Sequence, residues 1–139
     1  MIKLAHVCIE SADLEATEAF YRCLGLRRQF DFRNRQDQLV GYYLKFDDET
    51  FLEVIAVQQV RVEGAVRHFA IQAEDVEAVR RALVAAGVDC SEAYEADDHN
   101  RMFTCRDPNG VFIEVQQYGP ASLQRHGGTC PVDYVPRPA

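Results

Sequence analysis

A chain of 139 residues with 47% apolar content is long enough to bury a core, either as one compact domain or as two tightly packed half-domains. A net charge of −7 and a pI near 5.0 argue against non-specific binding to nucleic acid or to an anionic membrane, both of which need a basic face. No apolar stretch nears the roughly 18 residues that span a bilayer, and the start of the chain lacks the charged-then-apolar pattern of a targeting leader. The five scattered cysteines form no Cys-x-x-Cys pair and read as reduced thiols of a cytoplasmic protein.

Residues 2–9 form an apolar run of strand length, rich in β-branched members. Ser11 or Asp13 then offers a helix N-cap, and Leu14, Thr17, Phe20, Tyr21 and Leu24 recur at three- and four-residue steps on one helix face. Gly25 stands where a left-handed residue ends a helix. The cluster Arg27, Arg28, Arg33 and Arg35, interleaved with Asp31 and Asp37, reads as solvated surface. Apolar runs at 39–46 and 51–57 flank the short polar loop Asp47-Asp48-Glu49-Thr50, as in a hairpin.

The plan then recurs. After a linker at 58–65 comes a strand at 66–72, a helix capped by Asp75 and carrying Val76, Val79, Leu83 and Val84, and Gly87 to end it. Strands at 101–105 and 111–117 flank Asp107-Pro108-Asn109-Gly110, in which Pro presets φ and Asn-Gly tolerates positive φ. Residues 119–139, rich in Pro and Gly, read as an irregular tail in which His126 and Asp133 form no site, although Tyr134 and Val135 could pack. Sliding residues 6–26 onto 68–88 gives six identities in 21 positions, including His6 on His68, Asp13 on Asp75 and Gly25 on Gly87. Composition alone gives about one or two. The chain is therefore a duplicated module: 1–57 and 66–118, joined by 58–65 and followed by the 119–139 tail.

Each copy carries one histidine near its start and one glutamate near its end: His6 and Glu53, His68 and Glu114. Residues i and i+2 of a strand share a face, so Glu53 between Phe51 and Ile55, and Glu114 after Phe112, are expected where apolar side chains are buried. A buried carboxylate needs a cation, and two matching ones beside two matching histidines point to a divalent metal. Imidazole and carboxylate suit Ni, Co, Zn, Mn or Fe(II). Either residue type alone has an ordinary reading, a hydrogen-bonded core histidine or a solvent-facing glutamate. Cys8, on the strand face of His6, reads as a small buried apolar residue.

The pattern resembles the glyoxalase/bleomycin-resistance/extradiol-dioxygenase group, the vicinal oxygen chelate superfamily, from residue 4 to about 118. The resemblance rests on His6, Asp13-Leu14 through Phe20-Tyr21 and Leu24-Gly25-Leu26, His68, and Asp107-Pro108-Asn109-Gly110 leading to Ile113-Glu114. It implies an α+β fold of two βαβββ modules forming an incomplete barrel around one divalent metal held by His6, Glu53, His68 and Glu114. Glutamate at both carboxylate places is most similar to bacterial glyoxalase I, a lyase that isomerises the hemithioacetal of methylglyoxal and glutathione. Glu114 and Glu53 are then the proton-transfer pair and a small molecule is the substrate. An Fe(II) extradiol-type dioxygenase and a metal-free binding or resistance protein are the alternatives; Glu53 argues against the dioxygenase. Many members are homodimers with sites at or near the interface. The residues that clamp glutathione in glyoxalase I are missing: Glu10, Val57 and Gly64 stand in their places. Arg61 and Arg67 are close in sequence to the last of these. Arg101 and His99 could substitute, or could be ordinary loop residues.

Overall fold

The computed structural model describes residues 4–61, 66 and 68–132. The first repeat runs β1 (His6–Ser11), α1 (Leu14–Cys23), β2 (Arg27–Arg33), β3 (Leu39–Lys45) and β4 (Phe51–Ala56). The second runs β5 (Phe69–Gln72), α2 (Val76–Ala85), β6 (Tyr94–Glu95), β7 (Asn100–Arg106) and β8 (Phe112–Tyr118), followed by the helical turn α3 (Leu123–His126). Strand, helix and three strands thus occur twice. Each set forms a four-stranded mixed sheet, ordered β1-β4-β3-β2 and β5-β8-β7-β6. The α+β class and the βαβββ repeat are as expected from the sequence. The two sheets stay open, with β1 and β5 each at one edge.

Helix boundaries follow the capping chemistry. Asp13, not Ser11, is the α1 cap, accepting from the Ala16 N–H at 3.0 Å, and Asp75 caps α2 through the Ala78 N–H at 2.9 Å. Gly25 and Gly87 follow the helices at φ of 87° and 85°, where a Cβ would be strained. Asp75→Ala is expected to cost about 1 kcal/mol of unfolding free energy, measured by urea denaturation.

Strand alternation places the core. Leu52 and Val54 of β4, and Ile113 and Val115 of β8, are fully buried against Phe20, Tyr21, Val76 and Leu83 of the helices, in one cluster that spans both repeats. Tyr21 stacks on Phe69 across the junction, ring centroids 6.5 Å apart.

A polar clasp completes the joint. The Asp107-Pro108-Asn109-Gly110 turn docks on α1: Tyr21 Oη donates to Asp107 Oδ2 at 3.0 Å, and Asn109 Nδ2 donates to Thr17 Oγ1 at 2.7 Å. Asn109 Oδ1 accepts from the Ala12 N–H at 3.0 Å, and Thr17 Oγ1 lies 2.8 Å from Ser11 Oγ. Burial, and then the Asp107 charge, push the Tyr21 phenol well above the usual tyrosine range, so it remains a donor. In the other repeat Val79 and Leu83 align with Thr17 and Tyr21, so the side-chain hydroxyls of this clasp are not repeated there.

Four expectations change. Arg27, Arg33 and Arg35 are exposed as expected, but residues 27–33 form a strand, β2, in which a bulge at Gln29 turns Arg28 toward Glu18 of α1 and over the Tyr42 ring, while Phe30 and Phe32 take the opposite face. The start of the tail packs on the second repeat, since the Leu123 N–H donates to Asp98 O at 3.1 Å and Asn100 Nδ2 to Gln124 Oε1 at 2.7 Å. Cys8 is exposed, because β1 turns Ile9 and Ser11 to the core and His6, Cys8 and Glu10 away from it. Glu53 and Glu114 likewise lie on the faces opposite the core, because Leu52, Val54, Ile113 and Val115 occupy the buried ones. Gly64, Arg67, Asp133, Tyr134 and Val135, with residues 62–65 of the linker, lie outside the described residues.

Candidate metal centre

The parallel pairing of β1 with β4 sets Cys8 opposite Glu53 and His6 opposite Phe51. His6 and Glu53 therefore share the open face of the first sheet, with His6 Nε2 3.2 Å from Glu53 Oε2. The antiparallel pairing of β3 with β4 puts Tyr43 beside Glu53, and its hydroxyl donates to the same Oε2 at 3.1 Å. In the second sheet His68, just before β5, comes within 3.5 Å of Glu114 Oε2 through Nε2. Gln116 Nε2 donates to Glu114 Oε2 at 3.0 Å. The exposures match across the repeat: 42% and 41% for the histidine side chains, 21% for each glutamate.

Each pair has the chemistry of half a metal site. Nitrogen and oxygen ligands about 2.0–2.2 Å from one ion, at neighbouring coordination positions, lie about 3.0–3.5 Å apart. The two observed separations, 3.2 and 3.5 Å, fit. The pairs do not meet in one chain: no group of three or more His, Cys, Asp or Glu able to hold an ion occurs among the described residues. A pocket of about 480 Å³ beside Leu26, Phe46 and Phe69 is lined by none of the four.

The surroundings differ between the halves. On the first sheet Tyr43 stacks on Phe30 at 4.4 Å, with Phe32 at 5.6 Å and Phe51 at 5.7 Å, so Glu53 stands beside an aromatic floor on which Phe30 is 46% exposed. This floor went unread in the sequence, although the Phe30/Phe32 alternation was its signal. Burial, then the bond to Glu53, raise the Tyr43 phenol pKa, which keeps it a donor. Burial and the charges of Glu53 and Glu10 likewise raise the Cys8 thiol, which favours its protonated form. Arg61 is held by Glu10, its Nε donating to Oε1 at 2.7 Å. Arg101 points to the helix side of its sheet and binds Glu77 of α2 at 2.7 Å, so it supplies no clamp near Glu114. His99 is a turn residue with φ 65°, its N–H donating to Ala96 O at 2.9 Å.

The model of one protein family, the Glyoxalase/Bleomycin resistance protein/Dioxygenase superfamily, matches residues 3–115. Among solved structures, the trypanothione-dependent glyoxalase I of Leishmania major is 25% identical, with a TM-score of 0.69 over 84% of this chain and 87% of that one. Lactoylglutathione lyase from Agrobacterium tumefaciens is 18% identical, TM-score 0.63, over 83% and 92%. A bleomycin resistance determinant encoded on the transposon Tn5 is 20% identical, TM-score 0.62, over 84% and 98%. No curated protein matches the sequence.

Proposed function

The chain belongs to the glyoxalase/bleomycin resistance protein/dioxygenase superfamily, and from that premise we propose that it is a metal-dependent lyase or isomerase of the glyoxalase I kind. The carrying observation is the repeated imidazole–carboxylate pair, His6 with Glu53 and His68 with Glu114, at equal exposure on equivalent sheet faces. His6, Glu53, His68 and Glu114 would together hold one divalent ion, Ni, Co, Zn, Mn or Fe. When bound, it supplies Lewis-acid polarisation of a carbonyl and stabilises the oxyanion that develops there. Because the pairs lie apart in one chain, the reading requires a homodimer in which the first repeat of one copy faces the second repeat of its partner. Open sheets with edges at β1 and β5 leave room for that pairing.

The chemistry is a proton shift on an α-hydroxycarbonyl or hemithioacetal. Glu114 removes the proton from the carbon bearing the hydroxyl, and Glu53 returns a proton to the neighbouring carbonyl carbon; no oxidant is consumed. Glutathione is a poor fit. Glu10 is acidic where a cationic clamp is needed, and it occupies Arg61. Hemithioacetals of small neutral thiols are the better substrates. Protein reconstituted with Co²⁺ or Ni²⁺ is expected to convert the methylglyoxal–2-mercaptoethanol hemithioacetal, followed by thioester absorbance, and apoprotein is not.

The separation of the pairs favours a second reading, a metal-free small-molecule binder, with the aromatic floor as its surface. Metal analysis separates the two: stoichiometry near zero, unchanged by added Ni²⁺, Co²⁺ or Zn²⁺, selects the binder.

A further inference from the structure

The two carboxylates of the repeat are supported differently. At a constant offset of 61, Tyr43 aligns with Thr104 and Glu53 with Glu114, and both pairs are directly opposed in their sheets. Tyr43 reaches across to Glu53. Thr104 is too short to do the same, and Glu114 is met instead by Gln116 of its own strand. The Tyr43 ring is fixed by Phe30 stacked at 4.4 Å, by the edge contact with Phe32 at 5.6 Å, by Phe51 at 5.7 Å and by His6 at 5.6 Å. A phenol on a ring so enclosed has little rotational freedom left, whereas a glutamine side chain has several free torsions.

We propose that Tyr43 is a positioning residue for the metal centre: its hydroxyl sets the rotation of the Glu53 carboxylate so that this residue and His6 bind the ion as one preformed unit. The inference rests on the metal-centre reading above. A carboxylate has about four lone-pair sites, so the phenol bond orients it without using up the capacity a cation needs. The same ring packs beside the His6 imidazole, so one side chain orders both ligands of the half-site. Partners of this kind fix ligand geometry before the ion arrives. Among the described residues no ring is seen to donate to Glu114, and Phe112 packs on the His68 imidazole with centroids 6.2 Å apart, so the two half-sites are ordered by different groups.

The test is Co²⁺ affinity and the cobalt d–d absorption spectrum of full-length wild-type protein, Tyr43→Phe and Tyr43→Leu. Tyr43→Phe keeps the ring packing and removes only the hydroxyl. The expected result is Co²⁺ binding weakened about 10–100-fold in Tyr43→Phe, with an altered spectrum and unchanged apoprotein melting. Tyr43→Leu is expected to be at least as weak. Wild-type affinity and spectrum in Tyr43→Phe, with loss confined to Tyr43→Leu, would mean that only packing matters and would overturn the assignment. Absence of Co²⁺ uptake by wild-type protein overturns the metal-centre reading itself, and this inference with it.

Discussion

Replacing Glu114 by Gln is expected to lower kcat for the hemithioacetal by about 10²–10⁴-fold, the usual contribution of a positioned general base. Glutamine has nearly the same shape and keeps a carbonyl oxygen to accept from Gln116 Nε2, which now donates to Glu114 Oε2 at 3.0 Å. The fold should therefore survive, and thermal melting should match wild type. What is lost is the ability to accept a proton. Steady-state kinetics on metal-reconstituted protein check this, and full activity in the variant removes Glu114 as the base.

The second large effect is on stability. Asp107 is 5% exposed and accepts from Tyr21 Oη at 3.0 Å, from the Asn109 N–H at 2.8 Å and from the Val111 N–H at 2.9 Å. Asp107→Ala leaves a fully buried phenol and two turn N–H groups without their acceptor. Each buried, unsatisfied group costs about 1–3 kcal/mol, so a loss of about 3–5 kcal/mol is expected in urea denaturation. Tyr21→Phe removes only the donor and should cost about 1–2 kcal/mol. Because the two residues are in contact, the double variant should be less destabilised than the sum. Additive losses would mean that the Tyr21–Asp107 bond does not hold the repeats together.

The duplication was legible because histidine–glutamate pairs, caps and turn residues are chemically particular. Asp13, Asp75, Gly25 and Gly87 have one easy structural role each, and the Asp-Pro-Asn-Gly run is a turn in almost any setting. Strand faces were harder. In Phe51-Leu52-Glu53-Val54-Ile55 both faces are apolar, so a period of two does not say which one is buried. Leu52 and Val54 take the core, and Glu53 is left among half-exposed aromatic neighbours. Strand β2 was hidden by its arginines, because the bulge at Gln29 breaks the alternation that would have shown it. The clasp between Tyr21 and Asp107 joins residues 86 apart, and no local pattern announces such a pair. That the two histidine–glutamate pairs stand apart is likewise a property of how the repeats pack, not of the repeats.

The most direct measurement uses two defective chains. His6→Ala removes a proposed ligand from the first half-site and His68→Ala one from the second, and each is prepared alone and co-expressed with the other. If each metal centre is shared between two copies, neither variant alone forms a tight Co²⁺ site. The mixed dimer regains one complete site, from the intact first repeat of one chain and the intact second repeat of the other. With random pairing, titration should then recover roughly a quarter of the wild-type tight sites. No recovery in the mixture, while wild-type protein binds Co²⁺ tightly, contradicts the shared centre.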